Sequence, residues 1–180
     1  PNIIKDFQRA YPNIAYEVML GDYTEIEQWI MEGRVDCGFI PLPVHPSLET
    51  VFLERDQMMA VLPLDHPLAE RETFPLEALE NEPFMILEKG AGAEVEAIFK
   101  QRGIKPRINF TTWDDYAIMA MVESGLGVSM LTEMILKRTP YNIVAKELDV
   151  PAYRETALAL RELDTASLAV KKFIEYLQYR

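Results

Sequence analysis

The sequence predicts an α/β protein in two lobes, and three observations carry that expectation. An amphipathic helix that breaks at glycine directly into a short apolar strand occurs twice, once ending at Gly33 and once at Gly125 and Gly127. A helix that feeds a buried strand at once is the repeating step of an α/β sheet. Two apolar stretches, 51–62 and 156–160, stand far enough apart to carry the chain out of one lobe and back into it. The lobes are then 1–55 plus 155–180, and 56–154.

Taken in order, residues 1–11 read as a helix with Ile3, Ile4, Phe7 and Ala10 on one face, stopped by Pro12. Ile14, Tyr16, Val18 and Leu20 alternate as in a strand that ends at Gly21. Asp22 or Thr24 caps the next helix, whose first turn carries Glu25 and Glu27 and whose apolar face is Ile26, Trp29 and Ile30. The strand Val35–Ile40 follows Gly33, and Pro41, Pro43 and Pro46 impose an extended loop before the long strand at 51–62.

In the second lobe, Asp65-His66-Pro67-Leu68 makes a turn, Leu76–Leu79 a short helix and Phe84–Leu87 a buried strand. Residues 88–93 form a glycine-bearing loop, 94–102 a helix with Val95, Ile98 and Phe99 inward, and 107–111 a strand. Asp114 or Asp115 opens the second repeated helix, with Ile118, Met119 and Val122, and Val128–Leu131 is its strand. A helix at 133–138, a strand region at 141–148, a strand at 156–160 and an amphipathic helix at 168–179 complete the order.

Composition excludes several classes of function. No apolar run approaches the roughly 20 residues that a membrane span needs. A net charge of -11 opposes direct capture of a nucleic-acid backbone, which requires concentrated cations. The best basic cluster, Lys100, Arg102, Lys105 and Arg107, reads as a solvated loop. The single Cys37 forbids an internal disulfide and fits a buried thiol in a reducing, cytoplasmic setting. The start, without methionine and already helical, reads as part of a longer chain.

No catalytic constellation is visible, because no Ser or Cys has a plausible neighbouring His and no glycine-rich phosphate loop ends in Lys. His45 and His66 each precede proline in a turn without a metal-like partner, so neither a metal nor a cofactor is expected. Asp36, directly after the glycine stop, reads as a structural hydrogen-bonding residue, and the nine methionines read as core filler, with Met119, Met121 and Met130 alternatively giving an adaptable wall.

The ordered set Phe7, Tyr11-Pro12-Asn13-Ile14, Gly33-Arg34-Val35-Asp36-Cys37-Gly38-Phe39, His66-Pro67-Leu68-Ala69, Met121–Leu131 and the helix Ser167–Leu177 resembles the effector-binding domain of LysR-type transcriptional regulators. The resemblance implies the type 2 periplasmic-binding-protein fold, two Rossmann-like lobes joined by two crossover strands. It implies a sensor in which a small effector enters the cleft between lobes and modulates transcription by the full-length protein. Promoter DNA would be held by a winged helix-turn-helix domain that nothing in this chain matches. The same likeness implies a homodimer, a homotetramer for the full-length protein, and no membrane partner.

Carried over by position, the effector-binding residues implied are Gly21, Asp22, Tyr23, Pro41 and Leu42, with Gly90, Ala91, Gly92, Thr112, Trp113 and Asp114 from the other lobe. The dimer implied pairs residues 2–10 with 115–123 through Ile3, Phe7, Ala10, Ile118, Met119 and Val122. Free helix-start N–H groups suit carboxylates, but Asp22 and Asp114 are acidic and Thr132 stands where relatives carry proline. A neutral, aromatic or amine-bearing effector stacking on Trp113 fits this chain as well. Asp22 and Trp113 also have plain structural readings, as a helix cap and a packed aromatic. The alternative function is a free-standing solute-binding receptor of the same fold.

Overall fold

The computed structural model describes residues 2–87 and 94–178. The order is α1 (Asn2–Ala10), α2 (Tyr23–Glu32), β1 (Gly38–Pro41), β2 (Glu49–Pro63), β3 (Thr73–Phe74), a 3-10 turn (Leu76–Glu80), β4 (Pro83–Leu87), α3 (Glu94–Arg102), β5 (Arg107–Thr112), α4 (Asp115–Glu123), β6 (Val128–Thr132), α5 (Glu133–Leu136), β7 (Ile143–Leu148), β8 (Tyr153–Leu160) and α6 (Leu168–Gln178). The chain forms two compact units, 1–54 with 155–180, and 55–154.

In the first unit β1 lies antiparallel to β8, with Phe39 opposite Leu158 and Ile40 opposite Ala157, and β2 lies beside β8. Successive residues of a strand face opposite ways, so each strand feeds two cores. Ala159 and Ile40 pack with Ile30 of α2 and Leu48 on one face, while Leu158 and Leu160 pack with Val170 and Ile174 of α6 on the other. α2 stops where Gly33, at φ 72°, donates to Ile30 O and Arg34 donates to Trp29 O. That left-handed stop is cheap only for glycine. Phe7 seats α1 against α6, its ring centroid 5.2 Å from Phe173 and 5.6 Å from Tyr176.

The sheet of the second unit runs β2-β6-β4-β5, with β7 along the other side of β2 and β3 beside β7. β2 is antiparallel to β6 and β7, whereas β4 is parallel to both β5 and β6. Ala60, Leu62, Phe84, Ile86, Val128 and Met130 meet Val95 and Phe99 of α3 on one face. Val61, Met85 and Leu131 meet Ile118, Met119 and Val122 of α4 on the other. Each fully buried Val, Leu, Ile, Phe or Met side chain among these contributes about 1.5–3 kcal/mol.

The structure corrects several expectations. Residues 14–20 form no strand, and Val18 and Leu20 are 73% and 92% exposed. Alternation makes a strand only where a neighbour supplies the hydrogen bonds, and none of the described strands pairs with this segment. The strand expected from Val35 begins at Gly38, since residues 34–36 bend out of α2. β3 carried no sequence signal at two residues long.

The apolar ridges assigned to a dimer are a further correction. Phe7, Ile118, Met119 and Val122 are buried within their own units, so they cannot meet a second copy. Their periodicity reported the intramolecular core. The outward residues include Ile3, Lys5, Arg9 and Ala10 on α1, and Tyr116 and Glu123 on α4. Met119 and Met130 are likewise core residues and form no adaptable wall.

Candidate functional site

In the first unit the expected residues occupy two adjoining pieces of chain. Asp22 precedes α2 and closes a capping box: its Oδ1 accepts the Glu25 N–H at 2.8 Å, and Glu25 Oε2 accepts the Asp22 N–H at 3.0 Å. Each carboxylate thereby commits one oxygen to the helix start. Gly21 lies against the Trp29 indole, where a Cβ would come within 2.6 Å of the ring, and Tyr23 packs half-buried on the Ile30 cluster. Pro41 ends β1 opposite Thr156, and the Leu42 N–H donates to Glu155 O at 2.8 Å. The loop beyond turns through a cis Leu42–Pro43 peptide and is tied to α2 where Glu27 Oε1 accepts the His45 N–H at 3.0 Å.

In the second unit Thr112, Trp113 and Asp114 form the turn from β5 into α4. Asp114 Oδ1 accepts the Tyr116 N–H at 2.9 Å, capping the helix, and Thr112 Oγ1 accepts the Asp114 N–H at 3.4 Å. Trp113 is 64% exposed, which rules out the packed-aromatic reading. Gly90, Ala91 and Gly92 lie outside the described residues.

The two helix starts thus share one electrostatic character. Each aligned set of N–H groups, worth about half a positive charge, is already answered by an aspartate of its own chain. An incoming carboxylate would meet like charge there.

A second polar cluster gave less sequence signal. At the end of β6, Thr132 and Asp56 are 3% and 6% exposed, and Arg154 lies beside them. The sequence marks it only as Glu54-Arg55-Asp56-Gln57, four polar residues interrupting an otherwise largely apolar strand.

Cys37 is half-buried just before β1 and packs at the edge of the α6 core. Burial, and then the Asp36 carboxylate, pushes its thiol up to about 11. A thiol raised this far stays protonated at neutral pH, and only the thiolate is nucleophilic. Alkylation by iodoacetamide at pH 8 is expected to run roughly two orders of magnitude slower than for free cysteine, and to keep accelerating toward pH 11. Rapid labelling at pH 8, followed by mass spectrometry, would show an activated cysteine instead.

The histidines serve turns: His66 Nδ1 accepts the Leu68 N–H at 3.1 Å, and His45 Nδ1 lies 2.7 Å from Ser47 Oγ. Among the described residues no three His, Cys, Asp or Glu side chains gather as a metal group, and no helix is long and apolar enough to cross a membrane. Lys100, Arg102, Lys105 and Arg107 are exposed.

Comparison with known proteins gives these features a family. The model of the LysR substrate binding domain matches residues 1–180. The uncharacterized HTH-type transcriptional regulator YvbU of Bacillus subtilis (strain 168) is 32% identical over 177 residues, which is 97% of this chain and 60% of that protein. The chain therefore spans under two thirds of that relative's length. The regulatory domain of CcmR from Synechocystis PCC6803, solved in complex with 2-PG, superposes with a TM-score of 0.89 at 22% identity, covering 99% of this chain and 89% of that one. The BenM effector binding domain with its effector benzoate superposes at 0.87, also at 22% identity, covering 99% and 84%. At that identity the superpositions establish the fold, the type 2 periplasmic-binding-protein fold. With the family model matched from end to end and a regulator at 32% identity across nearly all of the chain, this protein belongs to the LysR substrate-binding domain family.

Proposed function

We propose that this chain is the effector-sensing and oligomerisation domain of a LysR-type transcription regulator acting in the cytoplasm. In this reading a small molecule changes DNA binding and transcription by the full-length protein, through a winged helix-turn-helix domain outside this chain, and the domain itself catalyses nothing. The effector-binding residues are Gly21, Asp22, Tyr23, Pro41 and Leu42 in the first unit and Gly90, Ala91, Gly92, Thr112, Trp113 and Asp114 in the second.

The observation that carries the site is Trp113, an indole left 64% exposed at the end of β5. An indole with its face open offers a flat surface on which an aromatic or cationic group can stack. Self-capped helix starts on both α2 and α4, together with the net charge of -11, favour a neutral or amine-bearing effector. BenM differs, since it takes the carboxylate benzoate.

A thermal-shift screen of metabolites tests the proposal. A ligand at 100 times its Kd adds about 2.7 kcal/mol to stability, and the same ligand is expected to change promoter occupancy by the full-length protein in a mobility-shift assay. A tight ligand that left DNA binding untouched would favour the free-standing receptor instead.

The oligomer proposed is a homodimer, and a homotetramer in the full-length protein, pairing α1 with α4 of a second copy through their outward residues. α1 offers exposed Lys5 and Arg9 to exposed Glu123 on α4, so the pairing is charge-complementary. Tyr116→Arg is expected to convert dimer to monomer in light scattering while changing monomer stability by under about 0.5 kcal/mol, because Tyr116 is exposed. A wild-type chain that stayed monomeric at high concentration would overturn the pairing.

A further inference from the structure

β2 enters the second unit at Arg55 and β8 leaves it at Arg154, and their polar side chains converge on the start of α5. The arrangement is unusual in one respect. Thr132 is the N-cap residue of α5 but makes no side-chain cap bond. Its Oγ1 instead accepts from Arg154 Nη2 at 3.3 Å. The cap is supplied from β2, where Asp56 Oδ1 accepts the Met134 N–H at 3.2 Å across 78 residues of sequence.

The second Asp56 oxygen and Arg154 Nη2 face each other at 3.7 Å, with side chains 6% and 16% exposed. Asp56 Oδ2 and Arg154 Nε are buried without a hydrogen-bond partner. Beside them the Arg55 guanidinium lies 3.9 Å over the Tyr153 ring, and the Met58 N–H donates to Ala152 O at 2.8 Å. A buried ion pair tolerates loss of both partners far better than loss of one, because a lone buried charge has nothing to answer it.

We infer that Asp56 and Arg154 are positioning residues that clamp the start of α5 to the two strands carrying the chain into and out of this unit. Asp56 is the cap of α5, and Arg154 both neutralises Asp56 and holds Thr132 away from capping its own helix. α5 and the two strands then shift together or not at all. That this coupling carries an effector signal rests on the sensor reading above; the clamp itself does not.

Hydrogen exchange and thermal melting of the 180-residue chain test it. Asp56→Ala is expected to speed exchange at the Met134 amide at least tenfold while amides of Val128–Leu131 keep their protection. Asp56→Asn, which retains an oxygen for that N–H, is expected to stay within about threefold of wild type. Asp56→Ala/Arg154→Met is expected to melt above Asp56→Ala alone, since the stranded cation is gone and Thr132 is free to cap. Unchanged exchange at Met134, equal acceleration throughout the unit, or a double variant that melts below the single one or fails to fold would each overturn the clamp. Should Asp56→Ala fail to fold while the double variant folds, the clamp stands. None of these results depends on an effector, so the clamp can fail while the sensor proposal survives, and the reverse.

Discussion

Gly127→Ala is expected to lower unfolding stability by about 3–5 kcal/mol, as a drop in denaturant midpoint at unchanged slope. The residue sits between α4 and β6 at φ 153°, a backbone state that side chains rarely adopt. A Cβ there would also run into the backbone carbonyl of Pro83, at the start of β4. β4 and β6 are parallel neighbours, with Phe84 aligned to Val128, and both feed the core against α3. Neither strand can yield without opening that core.

Gly125 provides the control. It has a positive φ of 72°, but nothing lies within 4 Å of a Cβ built on it. Gly125→Ala should therefore cost only the strain of a left-handed alanine, about 1 kcal/mol. Equal effects at the two positions would show that close approach to Pro83 does not distinguish them.

The same pair of glycines shows how the sequence carried the fold. Both repeated helix-to-strand steps were legible because each is local: an aspartate cap, a 3.6-residue apolar stripe, a glycine stop and a short apolar strand. What escaped was what depends on partners distant in sequence. Residues 14–20 alternate like a strand, but no described strand bonds to them. Phe7, Ile118, Met119 and Val122 read as apolar ridges and are buried within their own units instead of at a dimer surface, since periodicity shows that a face is buried and not what buries it.

At the candidate site the split is similar. The sequence offers Asp22 or Thr24 and Asp114 or Asp115 at the two helix starts, and in the structure Asp22 and Asp114 accept the capping bonds. Asp56 could not be read as a cap, because the helix it caps begins 77 residues later. The polar interruption at 54–57 was the available signal. Asp56 is the first buried residue of β2, whose residues before it are exposed or half-buried, so its burial depends on what packs against it from elsewhere in the chain.

Trp113→Ala is expected to weaken binding of a confirmed effector by 10- to 100-fold, about 1.4–2.7 kcal/mol, in a calorimetric titration. Its own fold should hardly notice. Trp113 is 64% exposed and belongs to neither core cluster of its unit, so truncation removes little that stabilises the monomer. A flat indole beside the Asp114 carboxylate offers an aromatic or cationic group a face to stack on and a negative charge nearby. Trp113→Phe should accordingly retain most of the affinity, since the ring face survives. Asp114→Asn, which keeps a capping oxygen, should weaken an amine-bearing effector more than a neutral one. Unchanged affinity in Trp113→Ala would remove this residue from the site. An effector that lost affinity in Trp113→Ala but gained it in Asp114→Asn would keep the site and reverse the inferred charge of its ligand.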